Sequence, residues 1–156
     1  MAPETLHVTL RFLGDVDAGT LDRLIPDLAN AALQCGRFSI QLPELRAVPS
    51  AERASMIWAK VLDRSGRCDE LARAIRRVAL RNGLAGESKP FTPHVTLVRA
   101  RRVRPVAPET LATALIRASM GTADSVSVLS ATLFSSELTP LGPHHTALAE
   151  FALRAE

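Results

Sequence analysis

The sequence of 156 residues predicts a pseudo-twofold fold in which strands and helices are mixed. The tetrapeptide His-Val-Thr-Leu occurs twice, at residues 7–10 and 94–97, and a strand–helix–strand pattern follows each copy. For this composition, the chance that another of the four histidines is followed by the same three residues is about 0.002, so coincidence is a poor explanation. The repeat indicates an internal duplication of about half the chain.

The first half is predicted to contain a strand, a helix and a second strand. Residues 7–13 alternate between two faces, which is typical of a strand, and Gly14 follows as a stop. Residues 21–32 carry an apolar stripe at helical spacing, in which Pro26 should kink the helix or reset its start. Residues 37–42 alternate again and predict the second strand.

The middle of the chain predicts a strand over residues 55–62 and a helix over residues 67–82. Gly83 follows that helix as its expected C′ residue. The outer side of the helix carries a basic stripe, and a solvated face is a better interpretation of it than an RNA surface. The stripe consists of Arg73, Arg76, Arg77 and Arg81.

The second half repeats the order of the first. We expect a strand over residues 94–101, a helix over residues 108–119 with proline at its first position, and a strand region over residues 125–134. Residues 145–153 predict a closing strand.

The repeat also predicts how the halves share the chain. We expect one domain over residues 1–156, made of two intertwined half-copies, about 1–50 together with 135–156 and about 51–134. The second motif is preceded by a strand, a helix and a linker, whereas six residues precede the first. Equal halves would need a further strand and helix of about 30 to 35 residues, which we expect to be missing at the N-terminus.

Composition indicates a globular protein of the cytoplasm. Hydrophobic residues make up 47% and charged residues 22% of the chain, which is ordinary, and no apolar run approaches the roughly 20 residues that cross a membrane. The N-terminus lacks the regions of a secretion signal. Cys35 and Cys68 have no CxxC spacing, and we expect two reduced thiols.

The two motifs carry the chemistry. Residues i and i+2 of a strand point to the same side, so His7 lies beside Thr9 and His94 beside Thr96. Pseudo-symmetry would bring the two pairs to face each other across a cleft. One neutral imidazole can take a proton from a nucleophile while a charged one protonates the leaving oxygen, and two threonine hydroxyls can hold anionic oxygens. This set suits attack on a phosphodiester without a metal.

Four stretches of the chain resemble one known family. They read PETLHVTLRFLGDV at 3–16, MIWAKV at 56–61, KPFTPHVTLVRAR at 89–101 and LFSSELTPLGPHHTALAEFAL at 133–153. The chain resembles the two-histidine phosphoesterase superfamily and, within it, the bacterial and archaeal RNA 2′,3′-cyclic phosphodiesterases, also called 2′-5′ RNA ligases. Two His-x-Thr motifs are the defining feature of that superfamily. Its members begin with a strand and a helix, the same piece that the repeat predicts to be missing here.

The resemblance implies an α+β, bilobal, pseudo-twofold fold, with two mostly antiparallel sheets flanked by helices around a central cleft. It implies metal-independent hydrolysis of RNA 2′,3′-cyclic phosphate ends to 2′-phosphomonoesters, with 2′-5′ RNA ligation as the reverse reaction. RNA ends or small cyclic nucleotides are the implied substrates, and we expect no cofactor, no membrane partner and a monomer. By motif match, His7 and His94 are the acid/base pair, and Thr9 and Thr96 are phosphate ligands.

Two arginines are further candidates for binding the phosphate. Arg99 matches an arginine that the family uses there, but in a regular strand it faces away from His94, so it needs a bend or an end of the strand. Arg11 shares the face of His7 by strand geometry. An ordinary surface arginine is the alternative for both.

Three other functions fit the same residues. A zinc hydrolase would use His7 and His94 with an acid, although closely spaced ligand pairs such as HxxxH are missing from the sequence. A non-catalytic module would hold cyclic phosphates or nucleotide ends with the same groups. A related two-histidine enzyme would act on 2′-5′ oligonucleotides or on a cyclic phosphate of ADP-ribose, because phosphate contacts carry little base information. The repeat does not say which histidine is acid and which is base.

Overall fold

The computed structural model describes residues 5–86, 90–99, 107–119, 125–139 and 142–155. Within these ranges the chain forms α1 (Ala18–Gln34), β1 (Phe38–Val48), β2 (Met56–Leu62), α2 (Arg67–Arg81), β3 (His94–Arg99), α3 (Pro108–Ser119), β4 (Ser125–Val128), β5 (Ser130–Thr139) and β6 (Gly142–Ala152). None of the helices in these ranges has the length and apolar character that crossing a bilayer requires.

Two sheets organise the strands. One sheet has four strands in the order β3-β2-β1-β4, and the other pairs β5 with β6. The strand pairs whose register is described, β1–β2, β2–β3 and β5–β6, are all antiparallel. The α+β class with antiparallel sheets is therefore confirmed.

The chain divides into two compact units, and it passes from one to the other several times. The first unit consists of residues 1–10, 39–68 and 90–126. The second consists of residues 11–38, 69–89 and 127–156. The division into half-copies and the pseudo-twofold axis stay predictions.

The second unit has a core of aliphatic side chains from its helices and its sheet. Helix α1 packs against β6, and its amphipathic spacing places Leu24 and Leu28 inward, at 0% and 5% exposure. Phe151 and Leu153 at the end of the chain are also buried. The N-cap of α1 is Asp17, whose carboxylate accepts from the backbone N–H of Thr20 at 3.0 Å.

In the first unit, strand β2 separates a core face from a polar face. Ala59 is 1% exposed and Val61 5%, and Ala59 pairs with buried Val95 on β3. Because successive side chains of a strand point to opposite faces, Trp58 and Lys60 lie on the other side. We call that side the polar face of the sheet.

Helix α2 confirms its sequence prediction. Leu71 and Val78 are each 2% exposed, as the apolar stripe predicts. Gly83 has a φ of +79°, which favours glycine, and its N–H donates to the carbonyl of Leu80 at 3.1 Å. The predicted basic stripe lies on the outer side of the helix, at Arg73, Arg76, Arg77 and Arg81. The prediction for α3 is also confirmed, with Pro108 at its first position.

The prediction of a strand over residues 7–13 is wrong for most of its length. Among the described residues, this segment pairs through a single antiparallel bridge, between Val8 and Val95. The chain leaves the edge of the sheet after Leu10, since Arg11 belongs to the second unit and donates from its guanidinium to the carbonyl of Ala85.

Other boundaries moved for local reasons. Helix α1 starts at Ala18 and runs through Pro26, so the proline does not reset its start. Strand β1 continues past the predicted end at residue 42. A bulge between Gln41 and Glu44 leaves Pro43, which has no N–H, out of the regular pairing with β2. The strand region 125–134 is divided at Leu129 into β4 and β5. Residues 100 and 101 of the predicted third strand lie outside the described residues.

We predict that Leu24→Ala lowers the free energy of unfolding by about 2–5 kcal/mol, because it leaves a cavity in the core of the second unit. Leu33→Ala on the same helix is the matched control, since Leu33 is 51% exposed. It should change the stability by less than about 0.5 kcal/mol. Urea unfolding followed by circular dichroism measures both, and equal losses would contradict the assigned core.

Candidate active site

The Val8–Val95 bridge brings the two motifs side by side in the first unit. In antiparallel pairing, a bridge between these two residues places His7 opposite Thr96 and Thr9 opposite His94. Residues directly opposite each other point to the same face, with Cβ atoms about 4.5–5.5 Å apart, and diagonal neighbours are about 7–8 Å apart. The four motif residues therefore form one group, with the two histidines on a diagonal.

The group lies on the polar face of the sheet. Val95 faces the core, so the residues on either side of it, His94 and Thr96, face the opposite way. The strand register agrees, because Thr96 pairs with Trp58 and His94 with Lys60. His7 is exposed, while His94 and the two threonines are half-buried.

Both imidazoles are oriented by the same backbone contact. Nδ1 of His7 lies 2.8 Å from the carbonyl oxygen of Thr5, and Nδ1 of His94 lies 2.7 Å from the carbonyl oxygen of Thr92. A carbonyl oxygen accepts and cannot donate, so each Nδ1 carries the proton of its hydrogen bond. In the neutral form of each ring, Nε2 is then the nitrogen without a proton. Both histidines are equipped for acid or base work at the same atom.

A bulge in β3 decides which face Arg99 occupies. Trp58 pairs with Thr96, but Ile57 pairs with Val98, so Leu97 is an extra residue on β3. Arg99 then pairs with Met56, which shares the face of Trp58. The bulge thus places Arg99 on the same face as His94 and Thr96. A regular strand would have placed it on the opposite face. Its role on the phosphate stays a prediction.

Arg11 has a backbone partner. Its Nη2 donates to the carbonyl oxygen of Ala85, within the second unit. The assignment of Arg11 to the phosphate stays a prediction.

Trp58 supports one side of the group. Its indole stacks on the imidazole of His94, with ring centroids 3.6 Å apart and an angle of 19° between the ring planes. Sequence reasoning missed this contact, because Trp58 lies 36 residues before His94 and reaches it only through strand pairing.

Charged side chains continue the polar face beside the group. On β1, Glu44 pairs with Lys60, and Arg46 pairs with Trp58. Arg46 Nε donates to Glu44 Oε1 at 2.7 Å, and Lys60 Nζ lies 3.9 Å from Glu44 Oε2. The hydrogen bond from Arg46 lowers the pKa of Glu44 from its ordinary value, so this carboxylate is ionised at neutral pH.

The donor set of this site is two imidazoles and two hydroxyls, with a guanidinium on the same face. Such groups can transfer protons and bind anionic oxygens. Among the described residues, no group of three or more His, Cys, Asp or Glu side chains is placed to hold a metal ion. Cys35 and Cys68 are both buried and form no disulfide with each other.

The sequence of the chain is similar to those of several known proteins. A profile of the 2′-5′ RNA ligase superfamily matches residues 2–133. The chain is 29% identical over 152 residues to the RNA 2′,3′-cyclic phosphodiesterase of Aquifex aeolicus, covering 97% of this chain and 79% of that protein. It is 32% identical over 149 residues to the RNA 2′,3′-cyclic phosphodiesterase of Aeropyrum pernix, covering 94% of this chain and 81% of that protein.

Solved structures share the fold. TT0787 of Thermus thermophilus superposes with a TM-score of 0.75 at 28% identity, over 100% of this chain and 82% of that one. Escherichia coli LigT complexed with 3′-AMP superposes with a TM-score of 0.70 at 26% identity, over 97% of this chain and 79% of that one. The profile match over most of the chain and the relative at 32% identity lead to one conclusion: this chain belongs to the 2′-5′ RNA ligase superfamily.

Proposed function

We propose that this chain hydrolyses RNA 2′,3′-cyclic phosphate ends to 2′-phosphomonoesters, using His7 and His94 as a metal-independent acid/base pair. The observation that carries the proposal is the Val8–Val95 bridge, which places two identical His-x-Thr motifs next to each other on one face. The names of the relatives from Aquifex aeolicus and Aeropyrum pernix support the reaction.

The proposed reaction needs two proton transfers. Nε2 of one neutral imidazole takes a proton from water while the water oxygen attacks phosphorus. The bond from phosphorus to the ribose 3′ oxygen breaks, and Nε2 of the other, charged imidazole protonates that oxygen. The product keeps its phosphate on the 2′ oxygen and carries a free 3′ hydroxyl. A 5′ hydroxyl of a second RNA in place of water gives the 2′-5′ ligation.

The remaining groups of the site bind the phosphate. The hydroxyls of Thr9 and Thr96 donate to its non-bridging oxygens, and the guanidinium of Arg99 donates charged hydrogen bonds to the same phosphate. We propose RNA ends or small cyclic nucleotides as substrates, because these groups bind phosphate, and phosphate contacts carry little base information. The bound 3′-AMP in Escherichia coli LigT supports a nucleotide ligand of this kind. We also propose a monomer that works in the cytoplasm.

We predict that the wild-type chain, in EDTA, converts a short RNA with a 2′,3′-cyclic phosphate end to the 2′-phosphate. His7→Ala and His94→Ala should each lower kcat by about 10²- to 10⁴-fold, the usual size of general acid–base catalysis. His144→Ala is the matched control, because His144 is exposed on β6 in the second unit. Chromatography of the RNA products measures the conversion.

Two results would overturn the proposal. Near-normal turnover by His94→Ala would exclude the two-histidine mechanism. A folded wild-type chain that binds the cyclic end without converting it would show a binding module instead.

We predict that Arg99→Ala raises KM and lowers kcat/KM by about 10- to 100-fold, because a charged hydrogen bond to phosphate is lost. Arg99→Lys should recover only part of the loss, since lysine lacks the planar fork. Arg73→Ala removes an exposed arginine of α2 and should leave both constants unchanged. Steady-state kinetics with a cyclic mononucleotide tests this, and an unchanged Arg99→Ala would make Arg99 a surface residue.

A further inference from the structure

Trp58 contacts His94, the histidine of the second motif, although Trp58 is not part of either motif. It sits on β2, opposite Thr96 and diagonal to His94, on the polar face of the sheet. Its indole lies almost parallel to the imidazole of His94, at 19°, with ring centroids 3.6 Å apart. The two rings are therefore in van der Waals contact over their faces.

The stack restrains the χ2 torsion of His94, which is weakly restricted in histidine itself. The χ2 angle of histidine turns an sp³–sp² bond, and its preferences are broad. The hydrogen bond from Nδ1 to the carbonyl of Thr92 holds one edge of the His94 ring. The indole face holds the plane of the ring. The hydrogen bond and the stack together fix the orientation of the His94 ring and therefore the position of Nε2. Proton transfer depends on that position.

In this position the indole N–H of Trp58 makes no hydrogen bond with the described residues. Its Nε1 is buried. Buried donors are nearly always hydrogen-bonded, and leaving one without a partner destabilises the fold. A phenylalanine or leucine would fill a strand position without this cost. The buried N–H therefore argues against a purely structural role for Trp58, and the contact that an aliphatic side chain would lose is the aromatic face against His94.

We propose that Trp58 is a positioning residue, which holds the imidazole of His94 in the plane that proton transfer requires. The inference rests on the proposed function, because it assigns a role within that same reaction. Trp58 acts through His94 and is not itself one of the proposed phosphate ligands, which are Thr9, Thr96 and Arg99. The effect of removing the ring therefore falls on kcat and not on KM.

Three variants test the proposal with the full chain. Trp58→Leu keeps an apolar side chain and removes the aromatic face, while Trp58→Phe keeps an aromatic face and removes the N–H. Ile57→Val is the matched control on the same strand, because Ile57 lies on the opposite face. For RNA with a 2′,3′-cyclic end, Trp58→Leu should lower kcat by about 10-fold with KM within about 2-fold. Trp58→Phe and Ile57→Val should both keep most of the wild-type kcat.

A second measurement reads the ring directly and needs no turnover. The chain has four histidines, so the imidazole C–H signals of His94 are assignable by comparing proton NMR spectra of the wild type and His94→Ala. A ring stacked on an indole has these signals shifted upfield. Trp58→Leu should move them downfield, and Trp58→Phe should keep part of the shift.

The two readouts separate this inference from the proposed function. If the wild type fails to convert RNA but Trp58→Leu moves the His94 signals, the proposed reaction fails and the positioning contact stands. His94 signals that do not move in Trp58→Leu would overturn the inference. A rise in KM at unchanged kcat would also overturn it, because Trp58 would then contact the substrate itself.

Discussion

The candidate active site depends on one antiparallel bridge, between Val8 and Val95. The two motifs are 87 residues apart in the sequence, and this pairing brings His7 and His94 onto one face. A shift of one residue in the pairing would turn the first motif toward the core side. The buried side chain of Val95, at 6% exposure, fixes which face of β3 is apolar, and the pairing of Val8 with Val95 turns His7 and Thr9 to the other face. Burial on one face thus determines the chemistry on the other.

Strand β2 supports this arrangement from the other side. Its core residues, Ala59 and Val61, are nearly fully buried, so the strand cannot rotate without exposing them. On the polar face, the same strand presents Trp58 to the ring of His94. The bulge adds Leu97 as an extra residue on β3, and Arg99 therefore lies on the polar face. Positioning of the second motif is therefore a property of the β2–β3 pair as a whole.

The sequence predicts the parts of this structure that local patterns determine. Helices α2 and α3 and strand β2 were predictable because their apolar spacing and their end signals lie within a few residues. The continuation of β1 past Pro43 was not, because a bulge opposite β2 makes the proline acceptable. Nor was the short pairing of the first motif, because its bridge partner Val95 lies far away in the sequence.

The same distinction holds within the site. The repeat predicts the four motif residues, because each His-x-Thr unit is contiguous in the sequence. The face of Arg99 depends on the register of β3 against β2, and the stack of Trp58 depends on strand pairing across 36 residues. The contacts at Nδ1 use backbone carbonyls, which every residue carries, so no side-chain pattern announces them.

In the proposed reaction, His7 and His94 act together on one phosphate. Comparing kcat/KM of His7→Ala, His94→Ala and the double variant tests it most directly, because groups that act as a unit are strongly non-additive. We expect the double variant to have nearly the same kcat/KM as the less active of the two single variants. If the fold-loss of the double variant equals the product of the two single fold-losses, the histidines work independently, and the paired mechanism is wrong.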